Sequence, residues 1–337
     1  MMRAAVFTDL HLGPDARFEG RLRKLSAHAR PFLGAFVARL RGLSPDAPEA
    51  PSSASLTEAP HLLDEGPDAS RTTGEAPSIT LTSAARPQRS QRVVPPGPTA
   101  DVVINLGDVL EDESALLDAE RYQELTAALA LLPCPKLHVA GNHDRIHLSD
   151  QALLALWAEN QLTPSALHYS RDIAGVHFAV LATEETRDVD VRLPKQQLEW
   201  LEADLAATEL ATIVCVHHPL SDCQLEGNRW FAAAPHLCRV VERKQVRQVI
   251  EASGKVALVL NGHAHWNHFD LIHGVPYVTL QSPIENLDED APGRPACTFG
   301  WVELDAQRVL VRVFGAQPAT YQLHLSPELG SRVAAAT

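Results

Sequence analysis

The chain has 337 residues, 45% of them apolar, a formal net charge of −13, sixteen histidines and five cysteines. This composition supports a packed core and excludes a membrane-spanning helix, because no run of about 18 apolar residues occurs. The acidic balance disfavours extended nucleic-acid binding, and an odd set of cysteines without a C-x-x-C pair fits neither a disulfide framework nor a thiolate zinc site.

The N-terminus, MMRAAVFTDLHLG, reaches an aspartate too early for a signal-peptide core, which predicts a cytoplasmic protein. Residues 4–8 read as a short apolar strand. Residues 29–41 read as a helix with Phe32, Phe36, Val37 and Leu40 on one face. Residues 44–100 then carry ten prolines and no Phe, Trp or Tyr. A segment so poor in apolar area cannot offset its conformational entropy, which predicts a disordered insertion. It would split a single domain made of residues 1–43 and 101–325, with 326–337 as a flexible tail.

Order resumes with a β-branched strand at 100–108 and a helix at 114–132 capped by Ser114. A strand at 136–144, a helix near 149–160, strands near 167–170 and 175–182 and a helix at 194–207 follow. Next come a strand at 211–219, a long loop, a helix at 236–252, a strand at 255–263 and a strand-rich remainder. Strands alternating with helices, then a run of strands, predict a layered α/β domain with mixed sheets.

Five of these strands end in polar clusters: TDLH (8–11), LGD (106–108), GNHD (141–144), VHHP (216–219) and GHAH (262–265). In open α/β sheets, sites assemble beyond the carboxyl ends of strands, so distant loops can meet there. Carboxylates, imidazoles and one amide, without thiolate, suit divalent manganese, iron or zinc. Asp9 with His11, and His263 with His265, sit two apart, which on an extended segment aligns both side chains on one face. The donor set is too large for one ion and predicts two divalent ions sharing a carboxylate.

The order D-x-H, G-D, G-N-H-D, H, G-H-x-H resembles the calcineurin-like metallophosphoesterase superfamily over nearly the whole chain. The resemblance implies a four-layer α/β/β/α sandwich of two mixed sheets flanked by helices. It implies that Asp9, His11 and His265 hold one ion, that Asn142, His217 and His263 hold the other, and that Asp108 bridges them. A hydroxide shared by the two ions would attack phosphorus in line. His143 resembles the catalytic histidine of the family, with Glu111 or Asp144 as its orienting carboxylate. His218 falls one position after a metal histidine and would sit behind the ions or face substrate.

A small phosphoester fits the acidic composition better than DNA does. The DLHL, VHHP and GHAHW blocks resemble the cyclic-nucleotide and glycerophosphodiester branch, so a phosphodiesterase of small or cyclic nucleotides is expected. A phosphomonoesterase and a repair-type nuclease are the rivals; a scaffold without chemistry is disfavoured because every ligand position and His143 are filled. In loop 220–235, Asn228 and Arg229 are the expected substrate contacts, and Trp230 divides evenly between contact and packing. The basic run from Arg17 to Arg30 would either face phosphate or form a solvated surface.

Overall fold

A computed structural model describes residues 1–42 and 99–336. The expected insertion at 44–100 therefore lies almost wholly outside the described residues. Two six-stranded mixed sheets carry the fold. The first runs Ala319–His324, Arg308–Phe314, Phe299–Leu304, Met2–Phe7, Val102–Asn105, Lys136–His138. Met2–Phe7 is antiparallel to Phe299–Leu304 and parallel to Val102–Asn105, which is parallel to Lys136–His138. The second runs His268–Ile272, Val275–Thr279, Val256–Asn261, Thr212–Cys215, Val176–Val180, Tyr169–Ile173, with parallel pairing inside and antiparallel pairing at both edges.

The parallel strands are buried on both faces, as sheets covered on each side must be. Along Val256–Asn261, Leu258 and Leu260 join the main core with Val6, Ile104 and Phe178, whereas Val259 joins a second cluster with Val214, Leu201 and Ile250. Alternate side chains therefore enter different layers. Helices Ala29–Leu40, Ala115–Ala130 and Asp150–Ala158 pack on the main core, and Lys195–Ala207 and Arg243–Ser253 on the second cluster. The result is the expected α/β/β/α sandwich. No helix among the described residues is long and apolar enough to cross a membrane.

The helices obey their end signals. Ser114 caps Ala115–Ala130 by accepting from the Leu117 N–H, and Tyr122, Leu125 and Leu129 face inward while Leu116 is exposed. The helix expected at 236–252 begins later, at Arg243, after a short turn at Pro235–Leu237; Gly254 ends it in the left-handed conformation. The tail expected to be flexible is instead a helix, Pro327–Ala335. Ser326 caps it, and Leu329 and Val333 are buried against the main core, which supplies the apolar contact that sequence position alone concealed.

This topology sets one chemical edge. Asp9, Asp108 and Asn142 follow the carboxyl ends of adjacent parallel strands of the first sheet, while His217 and His263 follow adjacent parallel strands of the second. The two sheets meet there: the His263 N–H donates to both carboxylate oxygens of Asp9, at 3.2 and 3.0 Å.

Candidate metal centre

Beyond each strand end the backbone turns sharply. Asp9, His11, Asp108, His263 and His265 all lie in the left-handed region, with φ of 51°, 44°, 53°, 64° and 55°. Residues with a Cβ adopt this region at a cost and keep it where surrounding structure over-determines it, most often at functional sites. Asp9 and His11 reach one donor group together, whereas His263 and His265 reach different ones, and neither pair does so through the strand pleat expected from its spacing; both segments have left the strands. Two glycines permit the crowding. A Cβ on Gly141 would overlap the backbone and carboxylate of Asp108, and one on Gly262 would overlap Thr8 and the Asp9 carboxylate.

Two groups of donors result. In the first, His265 Nε2 lies 3.4 Å from Asp9 Oδ1 and 3.1 Å from His11 Nε2. In the second, His217 Nε2 lies 3.3 Å from Asp108 Oδ2, and His217 and His263 each offer a ring nitrogen to a common point. Asp108 also lies 3.8 Å from His11 Nε2, so its carboxylate faces both groups.

The donor set fits divalent ions on its own chemistry. His217 Nε2 and Asn142 Oδ1 are buried without a hydrogen-bond partner among the described residues, an arrangement proteins rarely leave unanswered. The opposite ring nitrogens are fixed: His217 Nδ1 donates to the Leu106 carbonyl at 2.8 Å, and His263 Nε2 to the Leu237 carbonyl at 3.2 Å. His265 Nδ1 faces Glu285 at 2.9 Å, and His11 Nδ1 faces Glu111 at 3.1 Å. Such partners select the tautomer that points a lone pair inward.

The electrostatics are those of a dense charged cluster. Burial pushes His11 down to about 4. Burial acts to raise Asp108, yet His217, His143 and His11 hold it well below the carboxylate range. Burial works against the charged forms of His217 and His265, but Asp108 carries the former up to about 10, and Asp9 with Glu285 the latter to about 9.

His143 stands at the rim with its ring perpendicular to that of His11, 4.8 Å between centroids. Neither expected carboxylate orients it. Glu111 instead pairs with Lys24 at 2.8 Å and with His11. Asp144 is buried and accepts the backbone N–H groups of Asp108, Val109, Leu110 and Gly141, stapling two of the loops. The orienting group is Asp112, whose Oδ1 lies 2.5 Å from His143 Nδ1. The sequence signal was present in GDVLED, where two carboxylates follow Asp108. Only the fold decides which of them turns toward His143.

Lys24, within the basic run, was not singled out, yet it is buried with Nζ 3.5 Å from His143 Nε2 and 3.2 Å from His11 Nδ1. The rest of that run is neutralised: Arg17 pairs with Asp290, and Arg21 and Arg23 pair with Glu289. Glu285 was missed as well; it holds His265 and the Trp230 indole N–H, at 2.9 and 3.0 Å.

The two loop residues expected to contact substrate are bound to protein. The Asn228 side chain accepts the Trp230 and Phe231 N–H groups and donates to the Ala264 carbonyl. Arg229 donates to the carbonyls of Asn286 and Asp288 and pairs with Glu289, clamping the loop to the 286–289 segment. Trp230 packs on His265, centroids 4.9 Å apart. A cavity of about 440 Å³ opens beside the cluster, lined by Asp112, Asn142, His143, Arg145, Glu185 and Arg187 among others.

Comparison with known proteins agrees with this geometry. The family profile described as calcineurin-like phosphoesterase matches residues 2–267. A probable cyclic nucleotide phosphodiesterase of Synechococcus sp. is 27% identical over 210 residues, spanning 61% of this chain and 72% of that protein. A dimetal phosphatase from Danio rerio shares the fold with a TM-score of 0.64 at 14% identity, covering 96% of this chain and 99% of that one. A purple acid phosphatase from yellow lupin (Lupinus luteus) seeds shares it with a TM-score of 0.52 at 12% identity, covering 96% of this chain and 53% of that one.

Proposed function

The chain belongs to the calcineurin-like phosphoesterase family, metal-dependent hydrolases of phosphoesters, and from that premise we propose that it is a phosphodiesterase of small or cyclic nucleotides. The observation that carries the diester preference is the charge around the cavity. Asp112, Glu184, Glu185 and Asp188 line it against two arginines, Arg145 and Arg187, and the arginines of the basic run nearby are spent on Glu124, Glu289 and Asp290, which leaves only its Lys24 at the site. A monoester dianion entering such a rim meets more repulsion than the monoanion of a diester. The name of the Synechococcus relative points the same way.

In this reading Asp9, His11 and His265 would hold one divalent ion, Asn142, His217 and His263 the other, with Asp108 between them. Bound there, manganese, iron or zinc would supply Lewis acidity and make water a nucleophile at neutral pH. His143 would present Nε2 to the phosphoryl group, holding a proton for the departing oxygen, while Asp112 fixes its ring. Asp144 would keep the Asp108 and Gly141 loops in register through its backbone bonds. The alcohol part of the substrate would occupy the cavity beside Asn142 and His143.

One observation favours a phosphomonoesterase as the second reading: Lys24 brings an extra cation to 3.5 Å from His143 Nε2. Turnover of bis-p-nitrophenyl phosphate against p-nitrophenyl phosphate, with a panel of cyclic nucleotides, separates the two. Faster turnover of the monoester under manganese or zinc loading overturns the diesterase reading.

A further inference from the structure

His218 is the least explained polar side chain at the centre. It is 1% exposed, and its Nδ1 is engaged by the Thr183 hydroxyl at 2.7 Å. Its Nε2 has no hydrogen-bond partner among the described residues, and the nearest carboxylate oxygen, Glu185 Oε2, stands 3.8 Å away and is itself unpartnered. A buried ring nitrogen of this kind requires an answering group. The ring lies 4.0 Å from His263 and 4.9 Å from His217, centroid to centroid. The ligand nitrogens of His217, His218 and His263 all fall within 4.8 Å of one another.

We propose that His218 is itself a ligand of the second ion, through Nε2, so that this ion sits among three imidazoles. The inference rests on the two-metal reading above. Thr183 has the part that Leu106 and Leu237 have for the other two histidines: it fixes one ring nitrogen and leaves the other for the ion.

The consequence is chemical inequality between the sites. The first combines two imidazoles with the carboxylates of Asp9 and Asp108. The second combines three imidazoles with the Asn142 amide and a share of Asp108. Nitrogen-rich sites favour zinc, whereas carboxylate-rich ones accept manganese. The second site therefore prefers zinc over manganese more strongly than the first does.

The experiment uses full-length protein stripped of metal and reloaded with zinc, manganese or cobalt. Bound ions per chain, site dissociation constants and the visible spectrum of the cobalt form are measured for wild type, His218→Leu and Thr183→Val. Wild type is expected to bind two ions, with zinc displacing manganese from one site at lower zinc concentration than from the other. His218→Leu should weaken one site more than tenfold and alter the cobalt spectrum. Thr183→Val, nearly isosteric and therefore informative if the leucine variant folds poorly, should weaken the same site by about tenfold. Two ions held by both variants within twofold of wild-type affinity, with an unchanged cobalt spectrum, overturn the assignment of His218 and leave the two-metal reading intact. Fewer than two ions in wild type overturn both.

Discussion

Asp112 places a carboxylate oxygen 2.5 Å from Nδ1 of His143, so the imidazole is turned before any substrate arrives. The pairing fixes Nε2 as the nitrogen that faces the site. Asp112→Asn is expected to keep both ions and lower kcat by about 10- to 100-fold. His143→Ala is expected to keep both ions and lose about 10²- to 10⁴-fold. If the two residues act as a unit, the double variant is no slower than His143→Ala alone. Additive losses would show that Asp112 works independently of His143.

Lys24 offers a test of which ester suits the site. Its ammonium group is buried between Glu111 and His143 and lies 5.5 Å from the centroid of the Trp230 ring. A cation here helps a monoester dianion more than a diester monoanion. Lys24→Met is expected to reduce monoester turnover on the order of tenfold more than diester turnover. An unchanged ratio of the two rates would confine Lys24 to holding Glu111 in place.

Gly262 is a point where the second sheet crowds the first around the cluster. Gly262→Ala sets a methyl group against Thr8 and the Asp9 carboxylate, and neither can retreat because Thr8 and Asp9 are both fully buried. Overpacking of this kind costs about 1–3 kcal/mol. The expected result is a lowered unfolding midpoint and weakened metal binding, checked by urea titration and metal content. Gly20→Ala is the control: no atom lies within 4 Å of the added Cβ, although its φ of +77° still exacts a backbone penalty. That variant should keep its ions.

The gathering of the candidate donors was legible because each of these positions follows an apolar strand at its carboxyl end, and both the strand and the residue after it carry local signals. Asp9, Asp108, Asn142, His217 and His263 could therefore be read from five separate blocks and brought to one edge by the rule that parallel strands point the same way. The residues that support them were not legible. Lys24 and Glu285 face the site because two segments about 260 positions apart meet in an isolated β-bridge. Asn228 and Arg229 looked like substrate contacts for the converse reason. A polar loop residue displays its chemistry in the sequence, but not the carbonyl groups of Ala264 and Asn286 that consume it. Position along a strand is a local property, whereas hydrogen-bond satisfaction is a property of the whole fold.

His138 gives a pH dependence away from the candidate metal ligands. It is fully buried, with Nε2 donating to Asn160 Oδ1 at 3.1 Å and Nδ1 facing the Asn105 amide nitrogen at 3.4 Å. A second ring proton would point at an N–H donor, so the neutral form is required. Burial, with Lys136 adding to it, takes the folded-state value down to about 4 from 6.5. Between those values the unfolded chain binds the proton and the folded chain does not, so stability is present above pH 6.5 and is lost as pH falls toward 4. From pH 7 to pH 5 the loss due to His138 is about 2 kcal/mol. His138→Gln keeps a polar side chain that cannot titrate. Urea unfolding at the two pH values should show a decline smaller by about 2 kcal/mol in the variant. Equal declines would mean that His138 is charged in the folded protein or shielded in the unfolded one. The result reaches the metal centre too, because Asn105 also accepts the Gly107 N–H at 3.1 Å and so helps to set the turn that presents Asp108.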